Sequence, residues 1–163
     1  MKSLRALTLA LVAAGCLTVA HAQNIRPEVG KPLQQAGDLL RGGKAKEALA
    51  KVREADAVGG KSAQEQFMID RMKGSAAQRA GDNATAIQAF EAVFNSGKLG
   101  GAEQAQIAES LAFAYSQLRD NAKASQWANK AQSLGANSAS LKQLQSYLQS
   151  QSGDYSAIAK DSA

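Results

Sequence analysis

The chain repeats itself at a fixed interval. A step of 38 residues carries Ala48 to Ala86 and on to Ala124, and Ala36 to Gly74 and Ala112. The same step links Ala55, Val93 and Ala131, then Gly59, Gly97 and Gly135, and it returns the pair Glu65-Gln66 as Glu103-Gln104. The stretches "LRGGKAKEALAKV" (40–52), "QRAGDNATAIQAF" (78–90) and "SQLRDNAKASQWA" (116–128) are three versions of one segment. A self-similar period of this length marks a chain built from one supersecondary unit used several times. Such a unit cannot bury its apolar side alone, so neighbouring copies must stack.

Each unit reads as two helices. Residues 29–41, 64–79 and 102–118 carry apolar or small residues at helical spacing; in the third, Ile107, Leu111, Ala114, Tyr115 and Leu118 share a face. Each run meets a short turn, at Gly42-Gly43, Gly81-Asp82 or Arg119-Asp120. Glycine suits the left-handed residue that ends a helix, and Asp82 or Asn83, like Asp120 or Asn121, can cap the next one. The second helices are expected over 45–57, 83–95 and 121–134, with Gly59, Gly97 and Gly135 just past their ends. Ser62 with Glu65 has the spacing of a capping box. No Val/Ile/Thr alternation occurs, and both prolines, Pro27 and Pro32, lie near the start of the mature chain, so the expectation is all-α with no strand. Tight turns bring paired helices close, with Ala36 expected against Ala48, Gly74 against Ala86, and Ala112 against Ala124. Leu39, Val52, Phe90, Phe94, Phe113, Tyr115 and Trp127 are the larger side chains available to fill between units.

At these residues the chain resembles the tetratricopeptide repeat family. That family sets a small residue in the first helix, a Gly-Asp-Tyr-like turn, then Ala, an aromatic and Ala in the second. "GDNATAIQAFEAV" fits through Gly81, Asp82, Ala86 and Phe90, with Val93 at the family's last Ala. The first unit fits through Ala36, Gly43, Ala48 and Ala55, and the third through Leu111, Ala112, Tyr115, Ala124 and Ala131. The period exceeds the family's, which is about 34 residues. Arg119 replaces the turn glycine in unit three, and the family's Trp-like position and unit-ending Pro are absent. The resemblance covers about residues 29–136. It implies a right-handed α-solenoid of antiparallel helix pairs, about three and a half units, over roughly 29–62, 67–100, 105–138 and a partial 139–163.

The resemblance also implies where ligands go: the concave surface lined by each first helix. The corresponding positions are Leu33, Gly37 and Leu40 in unit one; Met68, Arg71, Ser75, Gln78 and Arg79 in unit two; and Gln106, Glu109, Phe113, Ser116 and Gln117 in unit three. Arg71 and Arg79 lie about two helical turns apart and can each hold a carboxylate through paired hydrogen bonds. The family's clamp for a peptide carboxylate pairs Lys with Asn on neighbouring first helices, and no Asn stands at those positions here. Phe113 is either an apolar anchor in the groove or core covered by the next unit. Trp127, on a second helix, reads as packing.

The chemistry available is narrow. "MKSLRALTLALVAAGCLTVAHA" has a basic start, an apolar run and a small-x-small end at Ala20-His21-Ala22, the pattern of a cleaved signal peptide over residues 1–22. The alternative is a lipoprotein anchored at Cys16, where Ala13-Ala14-Gly15-Cys16 resembles a lipobox. Cleavage after Ala22 leaves residues 23–163 and removes the single Cys and single His. The remainder has no disulfide, no usual zinc ligand set and no histidine base. Lys2 and Arg5 leave too, so 17 of the 19 basic residues face 14 acidic ones, a net charge of +3. No block of like charge points to nucleic acid. "GGKS" at 59–62 is not a phosphate loop, since the required earlier glycine falls on Ala55. The expected protein is a periplasmic or secreted adaptor or scaffold that binds a protein or peptide. It has no catalytic role, cofactor, metal or integral membrane span. The alternative is a noncatalytic module of a longer envelope-assembly protein or enzyme.

Leu141, Leu144, Tyr147 and Leu148 predict a seventh helix with an apolar stripe, and Gly153-Asp154-Tyr155 repeats the turn. The partial last unit is expected to leave that stripe partly uncovered, favouring self-association through residues 141–158 or fraying of that region.

Overall fold

A computed structural model describes residues 25–152. The signal-peptide and lipobox readings (residues 1–22) and the turn at Gly153-Asp154-Tyr155 lie outside the described residues. Within them the protein is all-α, with seven helices and no strand: α1 (Pro27–Arg41), α2 (Ala45–Asp56), α3 (Ala63–Ala80), α4 (Asn83–Asn95), α5 (Gly101–Gln117), α6 (Asn121–Ser133) and α7 (Ala139–Gln151). No helix among the described residues is long and apolar enough to cross a membrane.

The period of the sequence is the period of the backbone. Helices α2, α4 and α6 begin at Ala45, Asn83 and Asn121, and α3, α5 and α7 begin at Ala63, Gly101 and Ala139, each 38 residues after the last. The expected unit starts at 67 and 105 therefore fall inside α3 and α5. Helix-ending residues obey the same interval. Gly43, Gly81 and Arg119 have positive φ (75°, 78° and 60°). The next amide in each turn, of Lys44, Asp82 or Asp120, donates to the carbonyl of Leu39, Ala77 or Tyr115 at 2.8, 2.9 and 3.0 Å. This closes each first helix with one hydrogen-bond pattern, in which a left-handed residue lets the chain reverse.

Local chemistry starts the helices as expected. Ser62 accepts from the Glu65 amide while Glu65 accepts from the Ser62 amide, completing the capping box. Asp82 caps α4 through the Thr85 amide and Asp120 caps α6 through the Lys123 amide, both at 3.1 Å. In the link after α2, Gly60, not Gly59, takes the left-handed conformation. There Arg26 donates to the carbonyls of both glycines at 3.2 Å each, which sets the path of that link.

The core runs through every unit. On α1, Val29, Leu33, Ala36 and Leu40 form one buried stripe, and on α2 Ala48, Leu49, Val52 and Ala55 face it. Each helix packs against its neighbours in sequence, and α1 also touches α3. The repeated small residues Ala36, Ala48, Ala86, Ala112 and Ala124 are wholly buried. Gly74 has a specific neighbour that the spacing did not show. A Cβ there would lie 2.4 Å from a ring carbon of Phe90, so the aromatic sits directly on the bare α3 backbone. Among the larger side chains, Val52, Phe90 and Tyr115 are buried, while Leu39, Phe94, Phe113 and Trp127 are half-buried against the core. Phe94 and Trp127 meet edge to face, 5.0 Å between centroids, tying α4 to α6.

At the end of the array the apolar stripe is mostly covered. Leu141, Leu144 and Leu148 are buried, packed into the common core. The seventh helix rests on α6 and turns its stripe inward. Only Tyr147 of the four residues stays exposed. Among the described residues of 141–158, Tyr147 is the large apolar side chain left exposed, and 153–158 lie outside the described residues.

Candidate functional site

Polar contacts link the first helix of each unit to the next. Arg26, just before α1, reaches α3: its amide and Nε donate to Oε1 of Glu65 at 3.0 and 2.9 Å, and Nη2 donates to Oε2 at 3.0 Å. With the Ser62 amide at 2.8 Å, the buried Glu65 carboxylate accepts four hydrogen bonds. Those from Arg26 and Ser62 outweigh burial and pull its pKa down to about 2. Farther along, Arg71 on α3 pairs with Glu103 on α5 at 3.2 Å. Glu109 on α5 then accepts from the hydroxyls of Ser138 and Ser140 at the start of α7.

A second polar cluster lies between α2 and α3. Lys73 donates to Asp56 at 2.6 Å and to Asp70 at 3.4 Å, and Gln66 bridges the same two carboxylates. Burial disfavours the charge on Asp56 but hydrogen bonds from Lys73 and Gln66 prevail, and its pKa is lowered. Burial likewise disfavours the charge on Lys73, and Asp56 outweighs it, raising that pKa. Every group is satisfied by its neighbours, so this cluster joins units one and two.

The first-helix positions divide into three settings. Leu33 and Leu40 are buried core residues, not groove lining, because α1 turns its stripe toward α2 and α3; Gly37 is half-buried beside Met72. On α3, Met68, Arg71, Gln78 and Arg79 are exposed and Ser75 is half-buried. Here the two arginines have separate partners: Arg71 holds Glu103, and Arg79 donates to the Leu40 carbonyl at 3.3 Å. Phe67, absent from the sequence-based set, lies under two cations, with Arg71 at 5.7 Å and Lys98 at 5.5 Å from its centroid. Its position four residues before Arg71, on the same helix face, was the available signal. On α5, Gln106 and Gln117 are exposed, whereas Glu109, Phe113 and Ser116 are half-buried.

Three of these residues come together. Phe113, Ser116 and Gln117 line an open groove of about 440 Å³ between α5 and α7, completed by Arg119, Ser140, Gln143, Leu144 and Tyr147. Its apolar part is Phe113, Leu144 and the Tyr147 ring, the last 48% exposed. Serine hydroxyls and glutamine amides supply neutral donors and acceptors, and Arg119 supplies a cation at one end of α5. Phe113 is thus both readings at once: it packs on the core with one side and faces the groove with the other. Sequence reasoning places Arg119 in a turn and Tyr147 in an apolar stripe without giving either a groove, and it passes over Gln143, because the residues that face α5 come from the next unit. A smaller depression of about 150 Å³ between α6 and α7 is lined by Ser125, Asn129, Gln145 and Gln149 around Ala128 and Leu148.

Neither protein-family models nor curated proteins give a match to this chain.

Proposed function

We propose that the protein is a noncatalytic scaffold that binds a protein or peptide on its first-helix face, within a tetratricopeptide-like right-handed α-solenoid. In this reading it works in the periplasm or outside the cell after loss of residues 1–22. The fold part rests on the helix starts and left-handed turns that recur every 38 residues. A single unit type stacked in register presents equivalent helices side by side, which builds an extended face. The binding part is carried by one observation, the groove between α5 and α7. It combines a half-exposed tyrosine, a half-buried phenylalanine and several neutral polar groups. Aromatic anchors ringed by polar groups are what concentrates binding energy in protein interfaces.

Affinity capture from an envelope extract tests this reading when run with matched variants. The account expects a partner whose recovery falls with Phe113→Ala or Tyr147→Ala and is unchanged by Lys123→Ala and Lys130→Ala on α6. A partner that depends on the α6 lysines and ignores the groove would contradict it.

A further inference from the structure

Arg119 is the anomaly of the repeat. At the two equivalent turns the left-handed residue is Gly43 or Gly81; here an arginine takes φ 60°. A side chain at positive φ is strained, and such strain gathers where function requires it. Arg119 is also the one arginine among the described residues without a polar partner. Arg26 holds Glu65, Arg41 holds Asp38, Arg53 holds Asp82, Arg71 holds Glu103 and Arg79 holds the Leu40 carbonyl. Its guanidinium lines the same groove as Phe113, Leu144 and Tyr147. Among the described residues no carboxylate lines that groove to compete for it.

We propose that Arg119 is a specificity residue, and that the groove takes a peptide segment carrying an aromatic or aliphatic side chain next to a carboxylate. The apolar side chain seats against Phe113 and the Tyr147 ring, while Arg119 receives the carboxylate through paired, charge-assisted hydrogen bonds. Ser116 and Gln117 remain for the peptide backbone. This rests on the reading of the first-helix face as a binding surface and adds the chemistry of the partner. Charge complementarity supports it: among the described lining residues Arg119 is the one charged group, and the nearby Glu109 carboxylate is held by Ser138 and Ser140, so an acidic segment gains a partner and a basic one is repelled.

Isotope-labelled secreted protein would be titrated with capped hexapeptides Ser-Gly-X-Z-Gly-Ser, in which X is Phe, Leu or Ala and Z is Asp, Asn or Lys. The expected result is shifts in the Phe113, Arg119 and Tyr147 signals, strongest for Phe-Asp and Leu-Asp. Replacing Asp by Asn weakens binding about tenfold. Arg119→Gly brings the Asp peptide down to the Asn level, while the variant melts no lower than the parent, which excludes misfolding as the cause. Equal binding of Asp and Asn peptides, or no effect of Arg119→Gly, overturns the proposal. If the shifts then fall on Phe67 and Arg71, the first-helix reading still stands. Shifts on α6, or none with any peptide, overturn both. Groove signals that move with protein concentration in the absence of peptide would give the site to a second copy. Signals that move on Asp154→Asn would give it to the chain's own tail. Either of these also overturns the peptide assignment.

Discussion

Single residues set the terms at Gly74, Arg119 and Glu65. Gly74 lies beneath Phe90 with no room for a methyl group. Gly74→Ala gains helix propensity of about 1 kcal/mol yet forces the ring or the helix to move, at roughly 1–3 kcal/mol. The expected net result is a lower thermal midpoint. Arg119→Gly should do the reverse. It removes left-handed strain of about 1 kcal/mol and should raise the midpoint by a few degrees. Glu65 predicts a pH dependence. Its folded pKa is about 2, below the ordinary 4.5, so its contribution is full above 4.5 and is lost as pH falls toward 2. Urea midpoints of wild type and Glu65→Gln should differ at pH 7 and converge as pH drops through that window; a constant gap would remove Glu65 from the acid response. The capping box was legible here because Ser62 and Glu65 are three apart. The clamp from Arg26 was not, since a contact between residues 39 positions apart leaves no local pattern.

At the scale of helices, spacing was a good guide. The seven elements lie where turn chemistry and apolar periodicity put them, within a few residues. The period was visible because small residues are required where backbones approach, and they recur as Ala36, Gly74 and Ala112. Partner choice between helices was less visible. Small residues announce a close approach without saying what fills it, so the spacing pairs Gly74 with Ala86 and does not show the Phe90 ring that covers it. The apolar stripe of α7 likewise gave the helix but not the direction it faces. The edge-to-face pair of Phe94 and Trp127 joins second helices of successive units. A double-mutant cycle with Phe94→Leu and Trp127→Leu should yield a coupling of about 0.5–1.5 kcal/mol. Coupling near zero would mean that the two rings merely share a neighbourhood.

For the whole molecule, the repeated unit gives equivalent positions different occupants, and the face of the first helices changes along the chain. Near α1 it is closed by core packing at Leu33 and Leu40. At α3 it carries Phe67 between two cations, and between α5 and α7 it opens into a groove. The candidate surface was half legible in sequence. Phe113, Ser116 and Gln117 followed from the resemblance, but the residues opposite them come from the next unit, and Arg119 breaks the pattern the resemblance supplies. The central claim is that partners meet this face. Site-specific photocrosslinking in intact cells tests it most directly, with p-benzoylphenylalanine placed at Gln117 on the wall of the groove or at Lys130 on α6. Both side chains are exposed, so each probe reports contact without disturbing the core. The account predicts a discrete adduct from position 117 and none from position 130. An adduct from 130 with none from 117 would contradict it.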